Sequence, residues 1–280
     1  MLREILVRRP WLLVVAHAAC FWPVWGWYFA RLDDGSDEPW ALVALLAAFA
    51  LSWPRRGWRL SPADSLPGTA ALLTLLYALT SPFAPPLVRA VLAMSALACS
   101  WISVAGARAR APALLSLLVL SVPVIASLQF YAGYPLRIVT AAGATGLLNL
   151  SGVEVLRAGT GMVSGGHTVL VDAPCSGVRM LWTACVLCCV LVAIRARHGW
   201  RALAAALLAV IPIVLVANSV RAALLFLLET RAEAPRAWLH DAVGIATFAL
   251  VAGLLLASEH WQERWSRRRM RPPTLSFRAS

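Results

Sequence analysis

Residues 202–228 read ALAAALLAVIPIVLVANSVRAALLFLL. No charge occurs until Arg221, and the run turns apolar again through Leu228. As a helix it would be about 40 Å long at 1.5 Å per residue, more than the roughly 30 Å hydrocarbon core of a bilayer. A soluble surface helix is apolar along one stripe; one that is apolar all round is buried or spans a membrane. Asn218, Ser219 and Arg221 therefore stand out, because polar and charged groups are expensive at membrane depth and mark function when kept.

Similar blocks occur on both sides of this one. Spans are expected near 11–30, 40–53, 67–81, 86–105, 112–131, 177–194, 202–228 and 237–258. The chain has 280 residues, 60% of them hydrophobic, well above a soluble domain. The fold class predicted is an all-α polytopic membrane protein of about eight transmembrane helices. The net charge of +12 does not point to nucleic acid, because the positive charge lies in short loops between apolar blocks. All 25 basic residues are Arg. Seventeen of them fall in alternate loops or the tail: Arg3, Arg8, Arg9; Arg55, Arg56, Arg59; Arg108, Arg110; Arg195, Arg197, Arg201; and Arg264, Arg267, Arg268, Arg269, Arg271, Arg278. By the positive-inside rule these face the cytoplasm, and so do both termini. The first block lacks a clear cleavage site and reads as a retained helix.

The organisation expected is N-terminal membrane helices over 1–135, an extracytoplasmic segment over 136–174, a three-helix core over 175–258 and a basic tail over 259–280. Residues 136–150 suit an interfacial helix. VEVLRAG and HTVLVDA alternate apolar and polar residues around TGMVSGG, which predicts a β-hairpin on the outer face.

Three polar sites lie in the last third: Asp172-Ala-Pro-Cys175-Ser176-Gly177-Val-Arg179, then Asn218-Ser-Val-Arg221, then His240-Asp241-Ala-Val-Gly244. Cys175 lies 20 residues before Arg195, and Arg221 lies 20 after Arg201; each separation is about 30 Å of helix. His240 precedes Arg264 by 24 residues, about 36 Å. A Cys, an Arg and a His on three successive helices are thus expected near one level, at the outer side.

A thiolate is a strong nucleophile, favoured at a helix N-terminus or beside a cation. His240 can move protons between thiol and leaving amine. Arg221 keeps its charge and suits an oxyanion or a substrate carboxylate. Asn218, one turn before Arg221, can orient it or donate to the oxyanion. Arg179 can act on the thiol or bind substrate, and Asp172 can orient the His if the hairpin folds over the site. Rival readings are Ser176 or Ser164 as nucleophile, His167 as base, Arg221 merely snorkelling, and a non-enzymatic component of surface-polymer export. Cys185, Cys188 and Cys189 share a helix face but lack a partner His; neither metal nor cofactor is expected.

The ordered set of Cys175-Ser176-Gly177 with Arg179, Asn218 with Arg221, and His240 with Gly244 resembles the exosortase/archaeosortase family, membrane-embedded counterparts of sortases. The resemblance covers about residues 165–258. Many members carry an acidic residue and Ala directly before the Cys, whereas this chain has Asp172-Ala173-Pro174-Cys175. The resemblance implies Cys175 as nucleophile, Arg221 as stabiliser and His240 as acid/base. It implies that the substrates are secreted proteins with a membrane-anchored C-terminal sorting signal of the PEP-CTERM type, cut outside the bacterial inner membrane. A surface polysaccharide or lipid would be the acceptor if the acyl group is transferred. Membrane lipid is the other expected partner, and nucleic acid is not one.

Overall fold

The structure, a computed structural model, describes residues 9–35, 38–54, 66–195, 199–231 and 237–269. Arg3, Arg8, Arg55, Arg56, Arg59, Arg197, Arg271 and Arg278, on which much of the expected orientation rests, lie outside the described residues. Among those described are ten α-helices: α1 (Trp11–Cys20), α2 (Trp22–Leu32), α3 (Ala41–Ser52), α4 (Leu66–Thr80), α5 (Pro86–Val104), α6 (Ala111–Leu120), α7 (Ile125–Leu150), α8 (Val178–Ile194), α9 (Trp200–Arg231) and α10 (Ala237–Arg269).

Among the described residues the count falls short of the expected eight spans. Four helices are long and apolar enough to cross a membrane: α5, α8 with its preceding turn, α9 and α10; the number rises to six if each of two bent pairs is one span. The bent pairs correct two of the expected spans. Residues 11–30 break between α1 and α2 with a 74° bend, and 112–131 breaks between α6 and α7 with an 89° bend. Pro23 is the second residue of α2 and Pro123 lies just before α7. Proline lacks the N–H of the helical ladder and clashes with the carbonyl four residues back, so hydropathy runs on where the helix cannot. α3 and α4, with 12 and 15 residues, reach only about 18 and 22 Å, short of a bilayer core.

Residues 136–150 do not form a separate interfacial helix. They are the second half of the 26-residue α7, which contains Pro135. The expected hairpin is also different. β1 (Leu156–Ala158), β2 (Gly161–Ser164) and β3 (His167–Leu170) form an antiparallel sheet in the order β1-β2-β3. The two expected strands each pair with the glycine-rich segment read as their connection. Gly165 and Gly166, at φ +55° and +81°, make the β2–β3 turn, whose handedness matches strand twist.

Two apolar cores hold these elements. The larger gathers Phe21, Met94, Ile102, Leu114, Leu117, Trp182 and Leu203, among others, from α5, α6, α8, α9 and the N-terminal helices. The smaller joins Ala141, Ala144 and Leu148 of α7 to Met162 of β2, Val155, Val171, and Ala222, Ala223 and Phe226 of α9. It fixes the sheet across α7 and α9, next to the residues singled out above.

Small residues let α7 and α9 approach closely, as in other membrane helix pairs. A Cβ placed on Gly143 would lie 2.8 Å from Ser219 Cβ, whereas one on Gly146 would meet nothing within 4 Å. Gly143→Ala is therefore expected to destabilise the protein by about 1–3 kcal/mol, lowering its melting temperature in detergent. Gly146→Ala should leave it unchanged or raise it through helix propensity.

Candidate active site

Cys175 ends a 3₁₀ turn, Ala173–Cys175, that follows the extended Asp172. Its N–H donates to the Asp172 carbonyl at 3.0 Å, and Ser176 N–H donates to Ala173 O at 3.2 Å. Gly177 then adopts φ +87° as the N-cap of α8, a conformation in which a side chain is strained. The thiol thus lies in a tight turn just ahead of α8.

What holds that turn is Asn218. Its Nδ2 donates to the Cys175 carbonyl at 2.9 Å and to Thr140 Oγ1 of α7 at 2.9 Å. Asn218 is buried, so both bonds are made away from water, where an unpaired amide is costly. A Cβ on Gly177 would lie 2.8 Å from Asn218 Nδ2. Glycine is required there twice over, for its φ and for the close approach.

Arg221 is one turn further along α9. Its guanidinium runs past Gly244 of α10: a Cβ there would lie 3.7 Å from Nη2 and 4.0 Å from Nε. Arg221 Nε and Asn218 Oδ1 are buried and have no hydrogen-bond partner among the described residues. Further out, His240 Nε2 lies 3.2 Å from Glu229 Oε1 of α9, both side chains partly exposed. The charged groups within electrostatic reach of the thiol are Arg221, Asp172 and Glu229.

Contacts to the three motifs follow one another along α9. Asn218 is level with the Cys175 carbonyl. Arg221 is level with Gly244, which follows His240 by four residues, about 6 Å of helix. Arg179 is exposed on the first turn of α8 and Asp172 is exposed at the start of the turn. Ser176 is buried; its hydroxyl donates to Gln129 Oε1 at 2.8 Å and accepts from Val178 N–H at 3.3 Å. His167 sits at the turn end of β3, paired with Ser164 and remote in the strand from Cys175. Cys188 and Cys189 are buried in α8. Among the described residues no three His, Cys, Asp or Glu side chains are grouped to hold a metal ion.

Sequence reasoning missed Thr140, Gln129 and Glu229. Glu229 left a signal: it follows Asn218 by eleven residues, three helical turns on one face, and it ends an apolar run. Thr140 and Gln129 left none, because their partners lie 78 and 47 residues away.

Gly177→Ala should cost about 1–2 kcal/mol in backbone strain and displace the Asn218 amide as well. Gly106, at φ +65° with open space around its Cβ position, separates the two effects. Gly177→Ala is expected to lower the melting temperature more than Gly106→Ala and to change the rate at which a thiol reagent labels Cys175; Gly106→Ala should leave that rate alone.

Residues 33–257 match the family described as transmembrane exosortase. The match reaches far upstream of the three motifs and takes in the helices that pack around them. No curated protein and no solved structure matches the chain. Four to six apolar membrane-length helices and a family match over most of the chain agree: the protein belongs to the transmembrane exosortase family.

Proposed function

We propose that this protein is a cysteine peptidase or transpeptidase that cleaves C-terminal sorting signals of secreted proteins at the outer side of a bacterial inner membrane. Both termini are then cytoplasmic, and the carboxyl-terminal helices α8, α9 and α10 carry the site. The observation that supports this best is that α9, which carries the second motif, contacts the other two. Asn218 holds the Cys175 carbonyl, Arg221 lies against the Gly244 that follows His240, and Glu229 contacts His240 itself.

These groups supply the proposed chemistry. His240 takes the thiol proton, and Cys175 Sγ attacks the carbonyl carbon of the scissile peptide bond. The carbonyl oxygen becomes an oxyanion, which Arg221 stabilises. Its buried, unpartnered Nε–H suits that use, since a donor left free at a cost of about 1–3 kcal/mol is already desolvated and oriented for a developing charge. The C–N bond then breaks, and His240 gives its proton to the departing amine. A thioester remains on Cys175. Water or the amine of a surface acceptor attacks it, losing a proton to His240, and the thiol is restored. With Nε2 donating to Glu229, Nδ1 is the nitrogen left to exchange protons.

This reading gives Ser176 a structural role, because its hydroxyl is buried and engaged on both sides. Asp172 and Arg179 flank the thiol turn on the exposed side, where they can meet the substrate.

The test follows a secreted protein bearing a tripartite C-terminal tail (short motif, apolar helix, basic end) from the same genome. Cys175→Ala and Cys175→Ser should abolish loss of the tail on a blot at normal enzyme levels. Arg221→Lys, which removes the Nε donor but keeps the charge, should slow processing about 10²–10³-fold. His240→Ala should slow it about 10²–10⁴-fold, and Glu229→Gln by less than His240→Ala. Normal processing by Cys175→Ala would refute the assignment.

A further inference from the structure

The two outer edges of the three-stranded sheet are unlike each other. Val171 N–H donates to Thr160 O at 3.0 Å, which sets the phase of the β2–β3 ladder. In an antiparallel pair, alternate residues exchange both of their backbone bonds with the partner and the residues between point theirs outward. With the register Met162↔Val169 and Ser164↔His167, Val169 and His167 face β2. The N–H and C=O of Thr168 and Leu170 therefore point to the open side. Neither residue's backbone has a hydrogen bond there among the described residues. His167, Thr168 and Leu170 are exposed, Leu170 by 61%.

The β1 edge differs in being capped at the residue just before the strand, while the outward groups of Arg157 within it stay open. Asn149, at the end of α7, accepts from Val155 N–H at 2.8 Å and donates to Val155 O at 3.1 Å. A side-chain amide thus takes the place of a neighbouring strand just before β1 begins. The sheet lies with β1 over α7 and β3 over α9, so the β3 edge is on the α9 side. It runs straight into the thiol turn: after Leu170 come the buried Val171 and then Asp172, whose carbonyl accepts from Cys175 N–H. An unpaired row of backbone groups is a template for an extended chain, and this row ends at Leu170, five residues before Cys175.

We propose that β3 is the docking strand for substrate: the extended peptide segment next to the scissile bond adds to the sheet as a fourth strand, pairing with the outward N–H and C=O groups of Thr168 and Leu170. The inference rests on the peptidase reading above and assigns how that site grips its substrate. Main-chain pairing tolerates varied side chains, which suits an enzyme serving many secreted proteins. The exposed Leu170 and Thr168 side chains add an apolar contact on the sheet's outer face.

Proline gives a clean test, because at an edge position whose N–H faces outward it removes that donor and leaves the ladder intact. Full-length enzyme in nanodiscs is assayed for cleavage of a tail-bearing substrate, alongside Thr168→Pro, Leu170→Pro and, on the other edge, Arg157→Pro. Thr168→Pro and Leu170→Pro are expected to raise KM about tenfold each, with unchanged melting temperature and unchanged labelling of Cys175 by iodoacetamide. Arg157→Pro should process normally. In the inactive Cys175→Ala background, substrate capture by cross-linking should weaken in the same order. Wild-type KM in both β3 variants would overturn strand pairing alone; no cleavage by wild type would overturn the peptidase reading with it. A wild-type dimer that Thr168→Pro converts to monomer without loss of processing would assign the edge to a second copy and also overturn the proposal. Should the prolines lower the melting temperature, substrate tails N-methylated at successive backbone amides replace them: inhibition of cleavage at alternate positions supports pairing, and uniform cleavage overturns it.

Discussion

A buried amide must find acceptors, and Asn218 finds them in the Thr140 hydroxyl and the Cys175 carbonyl. Much of the site's geometry follows from that pair of bonds. They join α7, α9 and the thiol turn at one point inside the protein. Gly177 permits the approach, since any Cβ there would strike the Asn218 side chain. Once the turn is anchored to α9, the residues at later positions on that helix fall into place: Arg221 against α10 and Glu229 against His240. The small core under the sheet, with Met162 and Phe226 at its centre, keeps the strand that precedes Cys175 over the same helix.

This arrangement explains why so much polar chemistry is tolerated in a chain of such hydropathy. The polar side chains of α9 meet other protein elements: Asn218 the thiol turn and α7, Arg221 and Glu229 α10. Arg221 Nε and Asn218 Oδ1 have no hydrogen-bond partner among the described residues. Of the two, the Arg221 Nε–H is a donor and suits an incoming oxygen, whereas the Asn218 Oδ1 is an acceptor and suits an N–H or O–H.

The motifs were legible because Cys, Asn, Arg and His interrupt long apolar runs, where the composition gives polar residues no other reason to be. Helix length was legible for α5, α8, α9 and α10 for the same reason. Breaks were not, since Phe21 and Val122 keep hydropathy high across bends that Pro23 and Pro123 permit. The sheet was half legible. Alternation marked its two outer strands, but Gly161, Gly165 and Gly166 made the central one read as a loop, although Met162 within it is buried. Gln129 and Thr140 could not have been found at all, because their partners are distant in sequence and neither belongs to a motif. Glu229 was visible but ambiguous, as an acid at a helix end also suits a solvated boundary.

The central claim is that the Cys175 thiol becomes acylated. The most direct measurement is intact mass and peptide mapping of the purified protein, quenched in acid during turnover of a tail-bearing substrate. The account predicts an adduct on Cys175 with the mass of the substrate's amino-terminal fragment, released by hydroxylamine as a thioester should be. Release of the cleaved tail in a single acid-quenched turnover with no such adduct, or an adduct on Ser164 or Ser176 instead, would contradict it.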